Sequence, residues 1–127
     1  MHINKICVVE PDSDVSDALK ALLETHEFTV QIFPDGKAFI VTDVWQDERL
    51  NCLMVEADLP GLSGLSLLKR LRTHGFGFSI IILSNAGSAD LRTLALEFGA
   101  TDLIEKLSVN ALLTERLSRL FQDVAVH

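Results

Sequence analysis

Polar residues stand at four points where a short apolar run of the chain gives out. Glu10, Pro11 and Asp12 follow the first run, Glu56 the third, Ser84 and Asn85 the fourth, and Lys106 the fifth. Carboxylates suit a divalent cation or an attacking oxygen, and a hydroxyl and an ammonium suit phosphate oxygens, so together these residues make a phosphoryl-handling set. Any one of them alone reads as a helix cap or a solvated side chain. The set is informative because the ends of four separate runs are polar in the same way.

The elements that must gather these residues alternate along the chain. Residues 3–9 form an apolar, β-branched strand. Ser13 or Asp12 caps a helix that carries Val15, Ala18, Leu19 and Leu22 at helical spacing and ends near His26. Residues 28–33 read as a second strand closed by Pro34-Asp35-Gly36, and residues 37–45 as a short helix. The third strand, 52–55, runs into Glu56 and a Leu-Pro-Gly turn. It is followed by a helix marked by Leu65, Leu67, Leu68 and Leu71 that stops at His74-Gly75. Residues 79–83 are a strand apolar throughout, 88–98 a helix ended by Gly99, and 101–104 a fifth strand. Ser108 caps a last helix with Leu112, Leu113, Leu117 and Leu120 inward. Five such alternations with right-handed crossovers give an α/β three-layer sandwich around a parallel sheet. In that architecture ligands sit in the crevice beyond the carboxyl ends of the strands, where the polar residues converge.

The chain has 127 residues, which suits one domain spanning 1–127. Its 48% hydrophobic and 23% charged residues are those of a globular protein, and no linker, repeat or low-complexity segment interrupts it. A net charge of −7, with the 11 basic residues scattered, argues against direct nucleic-acid binding. The sequence shows neither a signal-peptide pattern nor an apolar run near ~18 residues, so the expected location is cytoplasmic, with no membrane contact. Cys7 and Cys52 lie in strand-like runs and read as reduced core thiols.

The fragments ICVVEPDSD, LMVEADLPGLSGLSLLKRLR, IIILSNAG and EFGATDLIEK occur in this order and spacing. On them the chain resembles, over essentially all of its length, a receiver domain of the two-component response-regulator family. The resemblance implies a flavodoxin-like (CheY-like) sandwich, with a five-stranded parallel sheet of order 2-1-3-4-5 and five helices. It is nearest to transcriptional regulators whose receiver precedes a helix-turn-helix domain; no such output domain is expected within these residues. Glu56 then holds the position of the phospho-accepting aspartate, fixed by Pro60 and Gly64 downstream. Glu10 and Pro11 stand where the family has an acidic pair, so one carboxylate that would ligate magnesium is missing. Ser84 and Lys106 match the hydroxyl and lysine that contact the phosphoryl group. Leu107 replaces the usual proline, and Leu103 stands where an aromatic residue changes rotamer on activation.

These departures have physical consequences. The longer glutamate moves the attacking oxygen by roughly one C–C bond, and misplacement by ~1 Å costs on the order of 100-fold in a positioned reaction. Asp12 is the nearest substitute ligand, but as a helix cap its carboxylate is taken by backbone N–H groups. No cofactor is therefore expected, and magnesium binding is expected to be weak or absent. The Lys106–Leu107 bond is expected to be trans, because cis before leucine costs about 3 kcal/mol. Two readings of Glu56 stay open: a permanent, weak mimic of the phosphorylated state reaching toward Ser84 and Lys106, or an inert ion pair with Lys106.

The expected function is a non-enzymatic signalling module that acts by binding protein partners, without phosphorylation at the family site. The alternative is an active receiver that accepts a phosphoryl group from a histidine kinase on Glu56, or on nearby Asp58, and regulates transcription through an output domain. A small flavodoxin-like enzyme is disfavoured, because Glu10-Pro11-Asp12 replaces any glycine-rich phosphate loop. On the fourth helix Leu91, Leu94 and Phe98 recur at spacings of three and four, and Leu94 falls where the family commonly has a polar residue. The resemblance makes the face of helix four, strand five and helix five the expected surface for a homodimer or another partner, such as a kinase or second regulator.

Overall fold

The computed structural model describes residues 4–85 and 89–106. Strand β1 (Lys5–Val9) lies between β2 (Thr29–Phe33) and β3 (Leu50–Glu56); β4 (Ser79–Ser84) and β5 (Asp102–Glu105) continue beyond β3. All four pairings are parallel and the order is β2-β1-β3-β4-β5, the flavodoxin-like topology implied by the resemblance. Between strands run α1 (Ser13–Thr25), α2 (Gly36–Val41), α3 (Gly64–Thr73) and α4 (Ala89–Glu97). The expected fifth helix from Ser108, together with Leu107, Ser88 and Ile3, lies outside the described residues.

The strands are central because they are apolar on both sides. Ile6, Val8, Cys52, Met54, Ile81 and Leu83 pack with Leu19 and Leu23 of α1 on one face of the sheet. Their neighbours in sequence, Cys7, Val9, Leu53, Val55, Ile80 and Ile82, pack with Leu67, Leu68 and Leu71 of α3 on the other. The helices on the two faces make the outer layers of the sandwich. Both cysteines are free and buried, and burial pushes Cys7 up to about 11 and Cys52 to about 12, which leaves them inert as thiols. None of the described helices is long and apolar enough to cross a membrane.

The second helix departs from its expected span of 37–45. It stops at Val41, and a separate 3-10 turn covers Val44–Gln46. The Thr42 hydroxyl donates back to the Phe39 carbonyl at 2.8 Å, Asp43 takes the left-handed conformation with φ 56°, and the Trp45 indole donates to Ile40 O at 2.8 Å. A β-branched run, Ile40-Val41-Thr42, ends in a residue whose hydroxyl competes for the helix carbonyls, and the helix closes early. β3 is longer than the expected 52–55 because its ends also pair: Leu50 with Lys5 of β1, and Glu56 with Leu83 of β4.

Candidate functional site

Three charged side chains meet at the carboxyl edge of the sheet. Glu10 follows β1 directly, and its backbone N–H donates to Phe33 O at 3.0 Å, which ties it to the end of β2. Glu56 is the last residue of β3. Lys106 follows β5. Glu10 and Glu56 are each only 2% exposed, so neither carboxylate is solvated and each needs a partner within the protein.

Lys106 is that partner for both. Its Nζ donates to Glu10 Oε1 at 2.9 Å and forms an ion pair with Glu56 Oε2. Glu10 Oε1 also accepts from the Asp12 N–H at 3.2 Å, and Glu56 Oε1 accepts from the Asp58 N–H at 3.0 Å. Glu10 Oε2 is buried and has no hydrogen-bond partner among the described residues. Burial accordingly raises the Glu10 carboxyl above its ordinary value, against the hydrogen bond from Lys106, which lowers it. For Lys106 burial acts downward, but the hydrogen bonds to Glu56 and Glu10 outweigh it and hold the ammonium above its usual range.

The other sequence-selected residues fall around this trio. Asp12 is the N-cap of α1, its Oδ1 accepting from the Asp14 N–H at 3.0 Å, so its carboxylate is engaged as the sequence suggests; Pro11 beside it is exposed. Ser84 ends β4 and is buried, whereas Asn85 and Asp58 are exposed. Leu103, the switch-equivalent position, is buried in the cluster on the α3 side of the sheet, and its carbonyl accepts from Arg92 at 3.2 Å. Leu91 and Phe98 lie half-buried against that same cluster, while Leu94 is 38% exposed. Leu96, which the sequence reading did not single out, is 44% exposed on the same helix.

Sequence reasoning paired Lys106 with Glu56 and missed Glu10 as its second partner. The signal was present in two acids at the ends of adjacent strands, β1 and β3, and one lysine at the end of β5, at the same edge of the sheet. A second unforeseen contact sets the position of Glu56. A Cβ on Gly64 would lie 2.2 Å from Glu56 O and 3.0 Å from Ala57 Cα, so only glycine lets α3 begin against the backbone that carries the acid. The Gly64 N–H donates to Ala57 O at 3.1 Å across that approach.

The donor set does not fit a divalent cation. An ammonium already sits between the two buried carboxylates, Pro11 offers no side-chain oxygen, and Asp12 serves α1. Within the cluster the one ammonium offsets one of the two carboxylate charges.

Comparison with known proteins agrees with the fold. The family model of the response regulator receiver domain matches residues 6–118. The transcriptional regulatory protein FixJ of Bradyrhizobium diazoefficiens is 34% identical over 101 residues, 80% of this chain and 48% of that protein. CpxR of Escherichia coli K12 is 35% identical over 105 residues, 82% of this chain and 43% of that protein. The chain thus spans about half the length of the curated relatives it matches, or somewhat less. The BeF3-activated N-terminal receiver domain of Klebsiella pneumoniae RstA superposes with a TM-score of 0.80 at 32% identity, covering 90% of this chain and 95% of that one. With the strand order, the acid-lysine crevice and these matches in agreement, the chain belongs to the family of response regulator receiver domains.

Proposed function

We propose that this receiver domain signals by binding protein partners and is not phosphorylated at Glu56. The observation that carries the reading is the bridge from Lys106 to both Glu10 and Glu56. The lysine available to steady an incoming phosphoryl group is held by two buried carboxylates. Both oxygens of Glu56 are engaged, Oε2 by the ammonium and Oε1 by the Asp58 N–H. Of the two readings of Glu56, the shared lysine favours a retained ion cluster over a mimic of the phosphorylated state. The module is then not an enzyme, takes no metal, and works through its surface.

The substitutions at Glu56 and Pro11 are the proposed cause of this silence. The double change Glu56→Asp with Pro11→Asp shortens one acid away from Lys106 and adds the missing carboxylate. Titration calorimetry is expected to detect magnesium binding in the double variant and none in the parent. Continued absence of binding would move the cause to the Lys106–Leu107 loop.

The rival reading, an active receiver that takes a phosphoryl group from a histidine kinase and regulates transcription, has one support. Longer relatives, including FixJ, are transcriptional regulatory proteins. Both readings use a partner surface, and the exposed Leu94 and Leu96 on α4 favour the side of α4 and β5. A homodimer through that side is expected by light scattering at high concentration, reverting to monomer in Leu94→Glu; a parent that is already monomeric there would remove the dimer from the account.

A further inference from the structure

Two cavities open between α2 and α3, and neither is lined by Glu10, Glu56 or Lys106. The larger, of about 480 Å³, lies among Ile40, Pro60 and Leu62. The smaller, of about 110 Å³, reaches inward between Trp45, Leu71 and Phe76. Ile40 and Arg70 line both, so the two form one groove. Its wall is already built. The Trp45 indole is tied to Ile40 O at 2.8 Å, and its ring meets Phe76 edge-on with centroids 5.0 Å apart. Val41 is 66% exposed, more than any other large apolar side chain described. Lys37, Ile40 and Val41 stand at i, i+3 and i+4 and share one face of α2.

The rim carries the opposite charge to the molecule. In a chain of net charge −7, the groove is edged by Lys37, Arg70 and His74. Among the described residues neither Lys37 nor Arg70 makes an ion pair. The acid on the lining, Asp35, has its carboxylate engaged as the N-cap of α2, accepting from the Ala38 N–H at 2.8 Å. An apolar floor of this size takes one or two large side chains, and two unpaired cations beside it select the charge of what carries them.

We propose that this groove docks an acidic, amphipathic segment of a partner protein. An apolar anchor enters between α2 and α3, and flanking carboxylates meet Lys37 and Arg70. The surface is separate from the α4 side and does not depend on the state of Glu56. A second copy of the chain is the alternative occupant, and the test below separates it from an acidic partner segment.

A random peptide library displayed on phage and panned against the whole chain tests the proposal, with Trp45, the one tryptophan, as a reporter inside the groove. The selected peptides are expected to carry a Leu, Phe, Met or Trp anchor flanked by Asp or Glu and to change Trp45 emission. They are expected to weaken with added salt. Their affinity should fall about tenfold or more on Lys37→Glu with Arg70→Glu, two exposed positions whose change leaves the thermal melt in place. No consensus, a basic or uncharged consensus, or undiminished affinity for the double variant would overturn the proposal. Self-association abolished by the same double change would give the groove to a second copy and overturn it equally.

Discussion

Lys106→Met is expected to lower the unfolding free energy by about 3–5 kcal/mol, the cost of leaving buried charges without their counter-ion. Glu10 and Glu56 have no solvent to turn to, and among the described residues Glu10 Oε2 lacks a hydrogen-bond partner even with the lysine present. Urea unfolding should show the midpoint falling with the slope unchanged. Adding Glu56→Gln to Lys106→Met should recover part of the loss, since it removes one of the stranded charges; this coupling separates the cluster from simple loss of lysine packing. A loss under about 1 kcal/mol, as for an exposed pair, would contradict the burial of the cluster.

The pH dependence of the parent follows from the two shifted groups. Glu10 has a folded value above its ordinary 4.5, so its contribution to stability is fully present below 4.5. It declines as pH rises toward the folded value, because the unfolded chain releases that proton first. Lys106 has a folded value above 10.5, so its contribution is fully present below 10.5 and is lost as pH rises through the folded value. Glu10→Gln should flatten the acid window and leave the alkaline one. In Lys106→Met the alkaline loss should vanish, and the penalty should shrink in acid as the Glu10 carboxylate takes up a proton.

Gly64→Ala is expected to be as damaging, by about 3 kcal/mol, through sterics alone. The added methyl would sit 2.2 Å from Glu56 O and 2.9 Å from Glu56 C, both backbone atoms that cannot rotate away. Either α3 shifts outward and uncovers Leu67, Leu68 and Leu71, or the end of β3 moves and takes the Glu56 carboxylate from Lys106. Gly77→Ala is the control: nothing lies within 4 Å of its Cβ position and its backbone is not left-handed. Thermal denaturation should place Gly64→Ala well below the parent and Gly77→Ala near it. Equal melting temperatures for the two variants would refute the close approach.

Much of this site was legible in the chain because strand ends are punctuated by residue type. Apolar runs stopping at Glu10, Glu56 and Ser84, with Lys106 after the fifth, were enough to place the crevice at one edge of a parallel sheet. The sequence offered Ser13 or Asp12 as the cap before a helix-spaced run, and the structure shows Asp12; Gly99 announced itself as a helix stop and takes φ 103°. What was not legible is which oxygen faces which cation. Lys106 reaches Glu10 across 96 residues of sequence, and strand order alone cannot say that one ammonium serves two acids. The early end of α2 depended on a local contest between the Thr42 hydroxyl and the helix ladder, which propensity summed over a window does not resolve. On α4, spacing made Leu91, Leu94 and Phe98 equivalent. The lean of the helix on the sheet turns Leu91 and Phe98 toward the core and leaves Leu94 and Leu96 outside.

The proposed reading is that the crevice keeps the form of a phosphorylation site while Lys106, held by Glu10 and Glu56, leaves it unphosphorylated. Intact mass of the protein after incubation with a small acyl-phosphate donor and magnesium measures this directly. The account predicts the mass of the unmodified chain, with Glu56 and Asp58 both unaltered. A magnesium-dependent gain of one phosphoryl group, lost in Glu56→Gln, would contradict it.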